Sequence, residues 1–351
     1  MAPVSHRYAG EVTPTGTEKP NIRQVALAAG VSHMTVSRVL NDHPSIRDST
    51  RTRVLDAIAE LGYRPNMAAR ALATKRTGRI GVIVESAAEY GPTSILRAVE
   101  SAARAGGYAV SSVAIGPGEE ISPQDAVDNL TAQGVDALCV VAPRSSSITT
   151  LRKIAISVPV LVVKPDDDPT FLTVSLDQQG GAVLAVDHLV SLGHRDVLHL
   201  AGPLDWFDAR ARERAFHARA REWGIRERPI VVGDWTADFA YDFARGMREL
   251  PEYTAIFVGN DSMAIGLVHG LVERGFDVPR DISVIGFDDV PLARHMLPPL
   301  TTVRQSFDAL GTSVVDILRA AIEQRSIPNA TRIPAELVVR ESTAPPRGGT
   351  R

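Results

Sequence analysis

The chain has 351 residues, 44% hydrophobic, 23% charged and 5% aromatic. That length exceeds one ordinary core, so two or three domains are expected. No stretch reaches the roughly 18 apolar residues that span a bilayer, and no basic, apolar and small-residue leader opens the chain, which argues against secretion. Formal net charge is −3, but residues 1–79 carry +6 and the remainder −9. A basic head on an acidic body points to a polyanionic partner; by charge alone, a solvated tail is equally open. The single cysteine, Cys139 in ALCVV, has no internal disulfide partner and reads as the buried thiol of a reduced, cytoplasmic protein.

In chain order, residues 1–20 lack periodicity and are rich in Pro, Thr and Gly, so they read as a disordered extension. From Asn21 the pattern turns helical: Ile22, Val25, Ala26 and Ala29 recur at three and four residues. Gly30 permits a left-handed turn, and Ser32 can cap a second helix running to Leu40. A third helix is expected over about 49–61, with Val54, Leu55, Ile58 and Leu61 on one face and Gly62 ending it. The run YRPNMAARALATKRTG, 63–78, favours a helix too short to stand alone. It reads as a linker that folds only when held.

From Arg79 the chain alternates strands and helices. The strand candidates are RIGVIVES, YAVSSVAI, DALCVVAP, VPVLVVK, DVLHLAG, TAIFVGN and DISVIGFD. Amphipathic helices are expected over 94–105, 122–133, 180–192, 207–223, 237–250 and 261–274. Continuous apolar strands separated by helices indicate parallel sheets covered on both faces. The segment is too long for one doubly wound sheet, and two similar lobes with a cleft fit better. Ligands of such sheets bind at the carboxyl ends of the strands.

The stretch NIRQVALAAGVSHMTVSRVLN has the spacing of a helix-turn-helix. Val31, Val36 and Val39 are placed to face the first helix, leaving Ser32, His33, Met34, Ser37 and Arg38 outward as a reading surface for base edges. With VALAAGVS, TVSRVLN, STRTRV and LGYRPNMAARAL in order, residues 22–72 resemble the DNA-binding head of the lactose-repressor (LacI/GalR) family, and the resemblance continues to about Ser342. It implies base-reading roles for His33, Met34 and Arg38, and phosphate-contacting or helix-placing roles for Thr35, Ser37 and Asn41. Asn66 to Leu72 match a hinge helix that enters the minor groove. Leu72 matches the wedging leucine, flanked by the small Ala69 and Ala73. Taken singly, His33 as a helix cap, and Met34 and Leu72 as core residues, are the plain alternatives.

The same resemblance implies a periplasmic-binding-protein-like body closing on a small ligand. It gives ligand-facing positions to Arg210, Asn260 and Asp288, with Asp261 capping the next helix, and aromatic walls to Trp235 and Phe307. Tyr90, Gly91, Pro92 and Ile95 line the same region. The chemistry suits a sugar: Arg and Asp form charge-assisted bonds to paired hydroxyls, and an indole packs on a ring face. A solvated arginine run (Arg210, Arg212, Arg214) and a turn aspartate are the plain alternatives. Where the family's type member has an aspartate, this chain has Lys164, and the Asp205–Trp206 pair also departs; a larger, acidic or differently linked sugar is one consequence. The tail after Ser342 lacks the leucine heptad that joins dimers in tetrameric relatives, so a homodimer is expected.

The expected fold class is thus an all-α helix-turn-helix head plus an α/β, periplasmic-binding-protein-like body of two doubly wound parallel-sheet lobes. The expected division is 1–20 extension, 21–65 head, 66–78 hinge, 79–342 body and 343–351 flexible tail. Lobe 1 takes about 79–175 and 304–333, lobe 2 about 176–303 and 334–342. The expected function is a repressor of carbohydrate-utilisation genes, cytoplasmic and nucleoid-associated. Its dimer binds a palindromic operator in double-stranded DNA and is released by a small sugar, with no membrane, cofactor, metal or catalytic residue. A sugar-modifying enzyme or a transport protein is the alternative. The enzyme lacks support because no G-x-S-x-G, P-loop or metal-spaced His/Cys set occurs. The transport protein lacks it because a signal peptide is missing and a DNA-binding head is present.

Overall fold

A computed structural model describes residues 20–40, 45–63, 76–116, 121–165, 168–226, 228–327 and 332–347. The expectations for Asn41, Asn66, Ala69, Leu72 and Ala73, and for the N-terminal extension up to residue 19, lie outside these residues. The chain divides into two compact units, 1–76 and 77–351.

The head contains α1 (Ile22–Ala28), α2 (His33–Leu40) and α3 (Asp48–Leu61). Asn21 caps α1 in a capping box, its side chain accepting from Gln24 N while the Gln24 side chain accepts from Asn21 N. Gly30 takes φ +64° between α1 and α2, a conformation that glycine adopts without a Cβ penalty. Ser32 then caps α2, its Oγ accepting from Thr35 N at 3.1 Å. The core is Val25, Ala26, Ala29, Val36, Val39, Val54 and Ala57. Leu55 departs from expectation and is 50% exposed. Val54, Ala57, Ile58 and Leu61 already fill the inner face of α3, and one residue past Val54 turns Leu55 about 100° away from it.

The second unit holds two six-stranded sheets. The first has the order β11-β5-β4-β3-β1-β2, all parallel: β1 (Arg79–Glu85), β2 (Ala109–Ile115), β3 (Ala137–Val141), β4 (Val160–Val163), β5 (Leu172–Leu176) and β11 (Arg332–Ile333). The second has the order β12-β10-β9-β8-β6-β7: β6 (Val197–Ala201), β7 (Val231–Val232), β8 (Ala255–Val258), β9 (Ser283–Asp288), β10 (Thr301–Gln305) and β12 (Ala335–Val338). Only β12 runs antiparallel to its neighbour. The central strands β1, β3, β8 and β9 are buried almost throughout, as a sheet covered on both faces requires. Cys139 lies fully inside β3, where burial pushes its thiol up to about 12.

The covering helices are α4 (Tyr90–Ala105), α5 (Pro123–Ala132), α6 (Ser145–Leu151), α7 (Gln178–Ser191), α8 (Phe207–Glu222), α9 (Ala237–Arg245), α10 (Asp261–Glu273) and α11 (Phe307–Ile322). The chain passes between sheets at 176–178, 305–307 and 333–335. The passages are tied together where Asp177 N donates to Ile333 O at 2.8 Å. Residues 343–347, expected to be a flexible tail, hydrogen-bond to the second lobe: Ala344 O accepts from His194 Nε2 at 2.9 Å, and Thr343 Oγ1 pairs with His188 Nε2. Among the described residues, no helix is long and apolar enough to cross a membrane, and no His/Cys/Asp/Glu group is placed to hold a metal.

Helices α9 and α10 pack against one another at Gly266 and Gly270. A Cβ at Gly266 would lie 1.9 Å from the Ala237 carbonyl oxygen, so backbone would have to move. Gly266→Ala is therefore expected to destabilise the body by about 1–3 kcal/mol through overpacking. Urea unfolding followed by circular dichroism checks this, and an unchanged midpoint would contradict the packing.

Candidate DNA-contacting face and ligand cleft

On α2 the side chains sort as helical geometry dictates. Val36 and Val39 are buried against α1 and α3, whereas Ser32, His33, Met34 and Arg38 are exposed and Thr35 and Ser37 half-buried. Met34, at 56% exposure, is not core. An α-helix with one apolar seam and a short polar face beginning at its N-terminus has the form that fits a major groove.

In the body, a cleft opens at the carboxyl ends of the strands, between the two sheets. Tyr90, Gly91, Pro92, Ile95, Lys164, Trp235, Asn260, Asp288 and Phe307 all line it. Arg210 does not. The arginine of the cleft is Arg212, 4% exposed, while the Arg210 guanidinium stacks 5.1 Å from the Phe207 ring and is half-buried. Two residues along a helix rotate a side chain by about 200°, so the two arginines cannot share a face. Arg212 continues the buried stripe Ala209–Phe216–Ala220 at three- and four-residue spacing, and Asp208, one turn earlier, reaches the same cleft. Trp206, noted in sequence as a departure, also lines it, and so do Glu89, Gln178, Phe207, Asp208 and Gln305, which were not anticipated.

The cleft floor is a ring of polar side chains. Arg212 Nε donates to Gln178 Oε1 at 2.8 Å, Gln178 Nε2 to Gln305 Oε1 at 2.9 Å, and Gln305 Nε2 to Asp288 Oδ1 at 2.6 Å. Asp288 Oδ1 lies 3.8 Å from Arg212 Nη2, closing the circuit. Gln178 and Gln305 stand at two of the passages between sheets, so the ring joins the Arg212–Asp288 pair to those passages. Arg212 also donates to the Gly259 carbonyl and lies 3.7 Å from the Phe287 ring centroid.

Asn260, not Asp261, caps α10: its Oδ1 accepts from Met263 N at 2.8 Å, and its Nδ2 holds the Trp235 carbonyl at 3.1 Å. Trp235 itself takes φ +75°, and Asp288 φ +113°, backbone conformations that cost energy for residues with a Cβ and concentrate at functional sites. Asp261 turns inward, accepting from Thr302 Oγ1 at 2.6 Å and Val290 N at 2.9 Å. At the mouth, Arg144 of the first lobe binds Glu85 at 2.6 Å and Asp205 of the second at 2.8 Å, with its guanidinium 4.9 Å from the Trp206 ring centroid.

Burial raises Asp288 to about 6, against the opposing pull of Arg212 and Gln305. Burial and the neighbouring Asp288 push Asp261 up to about 8. Folding thus raises the Asp261 pKa. Its contribution to stability is fully present below the ordinary aspartate range and is lost as pH rises through about 8. The expected result is that the melting temperature of Asp261→Asn, relative to the native chain, improves steadily between about pH 4 and pH 8. Parallel pH-dependent thermal melts of the two proteins check this; a constant difference would contradict the buried carboxyl.

Residues 21–66 match the bacterial regulatory proteins of the lacI family, and residues 186–343 match a periplasmic binding protein-like domain. The chain is 36% identical to the lactose operon repressor of Escherichia coli (strain K12), over 93% of this chain and 91% of that protein. A crystal structure of the lac repressor dimer bound to operator and the anti-inducer ONPF aligns with TM-score 0.78 and 34% identity, covering 93% of this chain and 100% of that one. A complex of the transcriptional regulator CelR with cellobiose aligns with TM-score 0.68 and 28% identity, covering 92% and 99%. With a matching head, a matching body and that identity over almost the whole length, the chain belongs to the lacI family of bacterial regulatory proteins.

Proposed function

We propose that this regulator represses carbohydrate-utilisation genes by binding a palindromic operator as a homodimer, and that a small sugar entering the cleft releases it. The observation that carries the reading is the polar ring of the cleft floor. It places the groups that would bond sugar hydroxyls, Arg212 and Asp288, in one circuit with the passages about which two lobes can close. A ligand that prefers one lobe arrangement shifts the population toward it, and a site coupled to that arrangement feels the shift. Support for a sugar comes from the aromatic walls Tyr90, Trp206, Phe207, Trp235 and Phe307 around the ring and from the cellobiose held by a related regulator.

On the DNA side, His33, Met34 and Arg38 read base edges, Ser32 lies on the same outward face, and Thr35, Ser37 and Asn41 contact phosphates or place the helix. Residues 66–78 act as the hinge, Asn66, Ala69 and Leu72 meeting the minor groove. A symmetric dimer reads inverted half-sites, as the dimeric relative bound to operator suggests. The regulator acts in the cytoplasm, on the nucleoid, without catalysing a reaction; its matched relatives are repressors rather than enzymes.

Arg38→Ala is expected to weaken specific operator binding about 10-fold or more, by loss of a base contact worth about 1–3 kcal/mol, while leaving sugar binding intact. His33→Ala is expected to change the preferred base more than the non-specific affinity. Fluorescence anisotropy on operator variants, with calorimetry for the sugar, separates these effects; a uniform loss on all DNA would contradict the reading role. Asp288→Ala is expected to hold operator and ignore inducer, and a normal ligand response in that variant would remove Asp288 from the ligand site.

A further inference from the structure

The chain passes three times between the sheets of the body, and a further tie between them is made by contact alone. At the mouth of the cleft, Asp205–Trp206–Phe207 of the second lobe meets Pro143–Arg144 of the first. Arg144 and Trp206 pair as an isolated antiparallel bridge, and Phe207 N donates to Pro143 O at 2.8 Å. Phe207 opens α8, and the N–H groups of a first helical turn have no partner within their own helix. Trp206, the N-cap residue, makes no side-chain cap, so the Phe207 N–H is satisfied across the cleft. The Phe207 ring packs against the core cluster of the first lobe, which includes Val140, Ala142 and Val162. Two cations of the first lobe also face the rings of this segment. The Arg144 guanidinium lies 4.9 Å from the Trp206 centroid, and Lys164 Nζ lies 5.6 Å from that of Phe207.

The joint is asymmetric. Arg144 is fixed on its own lobe: Nη1 donates to Glu85 Oε1 at 2.6 Å and to Ser86 Oγ at 3.0 Å, and Ser147 Oγ holds the other Glu85 oxygen. Only Nε reaches the second lobe, donating to Asp205 Oδ2 at 2.8 Å. A side chain already ordered loses little freedom when its last bond forms. The Asp205 side chain is 59% exposed, so this ion pair favours contact by only about 2–5-fold. The backbone bond adds about 2–10-fold, and the half-buried Phe207 ring adds to both. The sum holds the mouth shut most of the time, yet is small enough to open on thermal motion. We propose that residues 205–207 are a clasp that shuts the cleft of the ligand-free protein, so that a ligand enters and leaves through a gate between Arg144 and Asp205. The clasp is made of protein groups only, so the inference does not depend on what the ligand is.

The test is amide hydrogen exchange in the full-length, ligand-free protein, resolved at Phe207. The exchange rate scales with the fraction of time for which that bond is open. The expected result is exchange at Phe207 about tenfold or more slower than in an unstructured peptide. Asp205→Asn alters an exposed side chain and leaves Arg144 on Glu85; it should quicken this exchange about 2–5-fold. Arg144→Ala should quicken it further. Amides in the middle of α8 and in β6 should keep their native rates in both variants. Salt is an independent lever, because it screens an exposed ion pair: about 1 M sodium chloride should quicken Phe207 in the native protein and leave the Asp205→Asn variant unchanged. Free exchange at Phe207 in the native protein overturns the clasp, and so does protection that neither substitution nor salt reduces. Acceleration spread equally over α8 and β6 in Asp205→Asn would show that Asp205 supports the fold rather than the joint, and would overturn it as well.

Discussion

The contact on which the body's behaviour turns is the ring Arg212–Gln178–Gln305–Asp288. A guanidinium and a carboxylate buried together are costly unless both are hydrogen-bonded, and removing one partner leaves a charge stranded. Here two glutamine amides complete the set, and each amide sits where the chain passes between sheets. The consequence is geometric: Arg212 and Asp288 are bonded to residues that stand at two of the passages between the sheets. The same circuit explains why β9 ends at a strained Asp288. The carboxylate must leave the sheet to meet Gln305, while Asp289, at φ +56°, turns away to Arg340 and Arg304. Burial would raise Asp289, but those two arginines hold it below the ordinary range.

Around that ring the cleft divides its labour by chemistry. Apolar area comes from rings on both lobes, among them Tyr90 against Phe307 at 5.9 Å and Trp206 against Trp235 at 5.6 Å. Polar groups come from the Arg212–Asp288 pair and the two glutamine amides. Arg144 spans the mouth by gripping Glu85 on its own lobe and Asp205 on the other. In the head, the division is simpler. One valine seam is buried, and the polar face of α2 is left exposed.

Much of this was legible in the sequence, for definite reasons. The helix-turn-helix is short-range: the capping Ser32, the left-handed Gly30 and a three-and-four residue seam decide it locally. Strands such as ALCVV and SVIGFD announce themselves because both faces are covered. The strands missed were β5, β7, β10, β11 and β12: β7 and β11 are two residues long, β12 is largely unburied, and in β5, LTVSL, and β10, TTVRQ, threonine, serine and glutamine residues interrupt the apolar run although most are buried. Helix 237–250 was drawn too long; it stops at Arg245, before Gly246 and Pro251. Arg210 was chosen over Arg212 because ARARERA repeats every second residue and hides the helical phase. The phase was available from Ala209, Phe216 and Ala220, which place position 212 and not 210 on the inner stripe. Glu89 and Asp208 carried no signal in isolation, since only the fold brings them to the cleft lining.

The most direct measurement is the release of operator by ligand in the native chain and in Gln305→Ala. The protein would first select its own palindromic duplex from random DNA; saccharide is then titrated onto the complex while anisotropy reports bound DNA. The account predicts that ligand releases DNA from the native protein, whereas Gln305→Ala, titrated to saturation with the saccharide, holds its operator. Equal release from both proteins would show that the ring does not carry the message from cleft to head.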